Sequence, residues 1–210
     1  MVVKNTDGRY TILYYQEVDI DGFNCRDEFV NLIRKTGSKR FYNVAHEWCC
    51  GHGAIGFRIL ESGLCRQLIL TDKHPPAIVG CEFTKTLNNL DNSVSVFHSD
   101  DMGSLPNDRQ WDLFVANPPW RSRVLPGPEL SDSNYRKMFD VSWETHKNLY
   151  ANISKYLTTD ADCYIYEDSR FSDQTTWADM VSDAGLEIVD VYQNFGIVDT
   201  GYVLHLKPKI

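Results

Sequence analysis

The chain has 210 residues, enough for one domain with a sizeable core and tight for two. A formal charge of −8, with 42% apolar and 12% aromatic residues, describes an ordinary globular composition on an acidic chain. That balance weighs against a partner held through phosphates, so nucleic acid is not an expected partner. No apolar run reaches the length of a membrane span, and "MVVKNTDGRY" lacks a signal-peptide apolar region. A cytoplasmic protein without membrane attachment is expected.

Along the chain, Arg9–Val18 ("RYTILYYQEV") alternates loosely and reads as a strand. Asn24 stands where it can cap a helix from about Cys25 to Lys35, with Phe29, Val30, Leu32 and Ile33 on the apolar side. Strands and helices then alternate. "FYNVAHE" is a strand, "AIGFRILES" a helix, "RQLILTD" a strand, and Pro75 to about Leu87 a helix opened by two prolines. "SVSVFHSD" and "WDLFVA" are strands. Trp143, His146, Tyr150, Ile153 and Leu157 recur on one helical face, predicting a long helix that ends near Leu157. "DCYIYED" is a strand, "TTWADMVSDAG" a helix, and "LEIVDVYQN" with "TGYVLHLK" a closing hairpin. The order predicts an α/β fold with a mostly parallel seven-stranded sheet and an antiparallel C-terminal hairpin. No composition shift divides the chain, which reads as a single domain over 1–210 with a short strand and helix extension over 1–40.

In such a sheet, ligands bind beyond the carboxyl ends of the strands. The predicted tips there are "EWCCGHGAIG", Asp72, "SDD", "NPPW" and "EDSR", polar or glycine-rich on five strands. "GHGAIG" satisfies G-x-G-x-x-G, and Asp72 follows about twenty residues on, as in a dinucleotide fold. A nicotinamide-dependent oxidoreductase is therefore one reading. Glu47, however, stands at the strand end before the glycines. Its carboxylate repels a pyrophosphate and attracts an ammonium.

"HEWCCGH" also gathers His46, Cys49, Cys50 and His52, but the spacing fits no standard zinc pattern, and no metal is expected. The six cysteines include no C-x-x-C pair and read as free thiols.

The run "NVAHEWCCGHGAIGF … LILTDK … VFHSDDM … DLFVANPPW" resembles the class I S-adenosyl-L-methionine (SAM) methyltransferases. It is most similar to the amino-methylating branch with an N-P-P-[YFW] motif, which includes the release-factor glutamine methyltransferases. The resemblance implies a Rossmann-like fold, SAM as cofactor, and roles for matched positions. Glu47 would lie at the methionine end, and Gly51 and Gly53 would let the backbone approach the cofactor. Asp72 would accept the ribose hydroxyls and Asp100 the adenine amino group, with Asp101 and Asn117 completing the cofactor-binding set. Cys49 replaces the first glycine of the family pattern. Its Cβ makes a positive φ less comfortable there, and its side chain is expected near the cofactor.

Asn117, Pro118 and Trp120 are the expected catalytic residues. An amide or aryl-amine nitrogen has a delocalised lone pair. Two acceptors beneath it, the Asn117 side-chain oxygen and the Pro118 carbonyl, would hold its N–H bonds and leave that lone pair aimed at the methyl. The prolines stiffen the turn, and Trp120 would lie flat against a planar substrate. Arg121 to Phe139 reads as a long loop forming part of a substrate lid. The expected acceptor is a protein side chain or a small molecule. A nucleobase exocyclic amine is the alternative, and a catalytically silent partner subunit of the same fold a further one.

Overall fold

A computed structural model describes residues 2–5, 9–14, 22–122, 138–196 and 199–209. Strands β1 (Val2–Asn5) and β2 (Thr11–Tyr14) pair antiparallel, and helix α1 (Gly22–Thr36) follows. The regular alternation then runs β3 (Tyr42–Trp48), α2 (Ala54–Glu61), β4 (Cys65–Asp72), α3 (Pro75–Leu87), β5 (Val94–His98) and β6 (Trp111–Ala116). It continues with α4 (Glu144–Asn152), β7 (Leu157–Asp168), α5 (Gln174–Asp183), β8 (Leu186–Gln193) and β9 (Gly201–Pro208). The large sheet has the order β5-β4-β3-β6-β7-β9-β8, parallel except where β9 runs antiparallel to both neighbours. This is the predicted Rossmann-like methyltransferase fold.

Alternation along β6 divides the core. Leu113 and Val115 face a cluster with Phe29 and Ile33 of α1, Ile55 and Ile59 of α2, and Cys81 of α3. Phe114 and Ala116 face the opposite cluster, with Leu149 and Tyr150 of α4 and Trp177 of α5. Three helices thus cover one face and two the other, which is why the central strands are apolar on both sides. Among the described residues no helix is long and apolar enough to cross a membrane.

Three expected boundaries move. The first strand is half of a hairpin, and the part of its predicted run beyond Tyr14 lies outside the described residues. Helix α1 starts at Gly22, so Asn24 sits inside it rather than capping it. The helix expected to reach Leu157 stops at Asn152, with a short 3-10 turn over Ile153–Lys155. There Tyr156 stacks on Trp111 at 4.4 Å, and its carbonyl accepts from Trp111 N at 2.6 Å. Those contacts draw the chain into β7, which begins at Leu157, five residues before the predicted run.

Candidate active site

The sheet order reverses between β3 and β6: β4 and β5 extend to one side, β7 to the other. Register makes the tips flush, since Trp48 pairs with both Thr71 and Ala116, and Ala116 also pairs with Ile165. The glycine turn after β3 and the Asn-Pro-Pro-Trp run after β6 therefore flank the switch point, where open α/β sheets bind ligands.

In the glycine turn, Cys49 (φ 55), Gly51 (φ 52) and Gly53 (φ 73) all adopt left-handed conformations. Cys49, the non-glycine residue of the three, thus adopts a conformation uncommon for a side chain with a Cβ. A Cβ on Gly53 would come within 2.8 Å of Leu70 and 2.9 Å of Phe57. Glu47 is 2% exposed, and its Oε2 accepts from Gly56 N at 2.7 Å, so its carboxylate satisfies the N-terminus of α2. A side chain at position 56 would collide with that same oxygen, at 2.7 Å.

Asp72 accepts from Gly51 N through Oδ2 and from His74 N through Oδ1, both at 2.8 Å. Burial pushes its carboxyl up, against the pull of those two amides. A carboxylate offers about four acceptor positions, and two backbone amides use two of them. Burial also pushes the Cys49 thiol up, followed by the charge of Asp72 and, more weakly, of Asp140 and Glu47. Asp100 is exposed beyond β5. Asp101 is occupied locally: it accepts from Gly103 N and from Asn148 Nδ2, both at 2.8 Å.

Asn117 is half-buried at the tip of β6, and its side-chain amide makes no hydrogen bond among the described residues. Pro118 is buried beside it. Trp120, expected as an open platform, is only 7% exposed: its ring packs against Phe171 at 5.2 Å, with Arg121 and Arg170 guanidinium carbons 4.9 and 5.5 Å from its centroid. Arg170 in turn pairs with the buried Asp168. Arg121 N bonds Met138 O at 2.9 Å, closing the base of the expected lid, while residues 123–137 lie outside the described residues.

The histidines and cysteines of "HEWCCGH" do not converge. His46 is buried, bonds Thr71 Oγ1 at 3.0 Å, and is held at a pKa of about 3 by burial. Cys50 lies 4.0 Å from Cys81, sulfur to sulfur. Among the described residues no three His, Cys, Asp or Glu side chains are grouped as metal ligands, and all six cysteines are free thiols.

One charged group escaped sequence reasoning. Asp140, His146 and Glu167 form a buried chain, with His146 Nδ1 2.6 Å from Asp140 Oδ2 and Nε2 2.8 Å from Glu167 Oε1. The signal was a histidine on an otherwise apolar helical face.

Residues 30–139 match the family described as "Methyltransferase small domain". A curated relative, ribosomal RNA large subunit methyltransferase G of Shewanella oneidensis, is 28% identical over 99 residues, which are 47% of this chain and 25% of that protein. Among solved structures, the hMettl16 catalytic domain in complex with MAT2A 3'UTR hairpin 1 is similar with a TM-score of 0.73 at 12% identity, over 97% of this chain and 76% of that one. Ribosomal protein L11 methylase from Lactobacillus delbrueckii subsp. bulgaricus is similar with a TM-score of 0.61 at 14% identity, over 88% and 79%. The expectation that nucleic acid is an improbable partner does not stand, because the curated relative is a ribosomal RNA methyltransferase and a similar solved structure holds a 3'UTR hairpin. Net charge misled there: phosphate contacts depend on local patches rather than on the charge of the whole chain.

Proposed function

Because the chain belongs to the methyltransferase small domain family, we propose that it is a SAM-dependent N-methyltransferase of the N-P-P-[YFW] branch, acting on a planar nitrogen of RNA. The observation that carries the planar nitrogen is Asn117: an amide at the switch point with no hydrogen bond among the described residues, on a turn stiffened by Pro118 and Pro119. RNA as the acceptor class is supported by the ribosomal RNA methyltransferase relative, of which this chain spans about a quarter. The guanidinium groups of Arg121 and Arg170 beside Trp120 and Phe171 support it too, as cations near rings at the acceptor side.

SAM supplies an electrophilic sulfonium methyl. Toward it, Asp72 offers its two remaining acceptor positions for ribose hydroxyls, and Gly51, whose N–H bonds Asp72, lets the backbone come close. Glu47, already bound to the α2 N-terminus, contributes negative charge at the methionine end. On the other side of the switch point, the Asn117 oxygen and the Pro118 carbonyl accept the N–H bonds of the acceptor nitrogen and direct its lone pair.

The test is transfer from methyl-labelled SAM to total RNA and total protein of the same cells. Label released by nuclease and recovered as an N-methylated nucleoside supports the reading. Label confined to protease-sensitive material returns the acceptor to a protein amide, and NADH binding in preference to SAM would end the methyl-transfer reading. Asn117→Ala should cut transfer by about 10²–10³, the usual loss for one preorganised polar contact, and should weaken SAM binding less than Asp72→Ala does. Asn117→Asp, which keeps an acceptor, should lose less.

A further inference from the structure

Asp140, His146 and Glu167 are 2%, 0% and 0% exposed, and no step above uses them. They belong to three pieces of chain. Asp140 follows the segment that leaves Trp120, His146 lies on α4, and Glu167 is near the end of β7, the strand beside β6. The links form a closed circuit. Asp140 N bonds Arg121 O at 2.8 Å, one residue after Trp120, and Ser142 N bonds Ser122 O at 3.1 Å. Asp140 also accepts from Thr145 N and His146 N, capping α4. His146 stacks on Trp177 of α5 at 4.3 Å and meets the edge of Trp143 at 5.3 Å.

The arrangement is costly. Two carboxylates are buried around one imidazole, where apolar side chains would be cheaper. Ser142 (φ 58) and Trp143 (φ 60) are consecutive non-glycine residues in left-handed conformation, on the turn that brings Asp140 to the N-terminus of α4. The strained turn and the buried charge flank one residue, Asp140, whose backbone N–H bonds the Arg121 carbonyl just after Trp120.

We propose that Asp140, His146 and Glu167 form a positioning bridge: the imidazolium, held between the two carboxylates, fixes the base of the segment after Trp120 and so the placement of Asn117–Trp120 against the acceptor. The bridge rests on the reading of Asn117 as the acceptor contact. His146 is a positioning residue, acting through Asp140.

Its charge state follows from its surroundings. Burial opposes the proton, but Glu167 and Asp140 outweigh it and push the imidazole up to about 9. Burial raises the Glu167 carboxyl, partly offset by His146, while hydrogen bonds from His146 and Thr145 hold Asp140 low despite its burial. The other titratable groups around the bridge are Tyr150 on α4, Cys163 on β7 and Tyr202 on β9, with the Cys49 thiol near Asp140; burial pushes all four up, so they stay neutral. Trp177 and Trp143 carry no charge.

The test combines hydrogen exchange of the Arg121 and Asp140 amides with methyl transfer to the total RNA used above, in the full chain from pH 6 to 10. In the parent, both amides should lose protection, and kcat should fall, as pH rises through about 9. Glu167→Gln keeps the hydrogen bond to His146 and removes a charge, so both midpoints should move down by at least one pH unit, with SAM affinity within twofold of the parent. His146→Phe should speed exchange at both amides at least tenfold across the whole range and lower kcat more than it raises KM. If His146→Phe does not fold, Glu167→Gln alone decides. Unmoved midpoints in Glu167→Gln, or loosened amides with unchanged transfer, would overturn the bridge. Asn117→Ala transferring at the parent rate would instead remove the acceptor reading, while the exchange midpoints still report on the bridge.

Discussion

At the scale of single residues, Asp72 shows how one carboxylate serves fold and ligand together. Its two oxygens each take one backbone amide, from Gly51 and His74, which orients the side chain before any ligand arrives. Asp72→Ala should weaken SAM binding about ten- to a hundredfold, equivalent to about 1.5–3 kcal/mol for lost charge-assisted bonds. Titration calorimetry on the folded variant checks this, and an unchanged affinity removes Asp72 from the cofactor site. The strand-tip acids and the Asn-Pro-Pro-Trp run were legible in the sequence because proline and glycine punctuate where the chain must turn. The charged bridge was not. Asp140 and Glu167 each read as ordinary acids, His146 as one member of an apolar stripe, and only folding brings the three within hydrogen-bond distance.

Among elements, those bounded by stiff residues were read to the residue: β6 ends before Asn117-Pro118, and α3 begins at Pro75. Those bounded by tertiary contacts were not. The first half of β7 carries Thr158, Thr159 and Asp160, polar and largely exposed, and becomes strand through its pairing at Trp111. The β1–β2 hairpin is similar, because its outer edge is paired by side chains of α2, of α3 and of the residue that caps α3. Leu13 N bonds Thr84 Oγ1 at 2.9 Å, Thr11 N bonds Asn88 Oδ1 at 3.0 Å, and Arg9 N and Tyr10 N both bond the Glu61 carboxylate. Thr84→Val, nearly isosteric, strands the Leu13 amide in a buried position and should cost about 1–3 kcal/mol. Denaturant unfolding gives the total, and hydrogen exchange at Thr11–Leu13 should report the loosening first. Parent-like protection there would mean that the hairpin is held by its apolar contacts instead.

For the whole molecule, two buried histidines set opposite pH limits. His146 has a folded pKa raised from the ordinary 6.5 to about 9, so its contribution is complete below 6.5 and is lost as pH rises toward 9. His46 is depressed to about 3 by burial beside Trp111. The unfolded chain binds its proton first, and stability falls as pH drops from 6.5 toward 3. These two groups together predict a stability maximum near pH 6.5, declining on both sides. Urea midpoints across pH 4 to 9 test it. A profile flat from 6.5 to 9 would mean that His146 carries no proton in the fold.

The reversal of strand order between β3 and β6 also divides the chain's inheritance. Everything assigned to the methyl donor, apart from Asn117, lies before β6, from Glu47 to Asp101, and everything assigned to the acceptor lies from Asn117 onward. The two sets meet in space along the seam between β3 and β6. Changes on one side can therefore accumulate while the other is kept, and a lineage can exchange its target without relearning its donor. The connection between β5 and β6, whose residues Asp108 and Arg109 are exposed, is the natural joint for such exchange. A hybrid joined there would test how far the two halves of the sheet are separable.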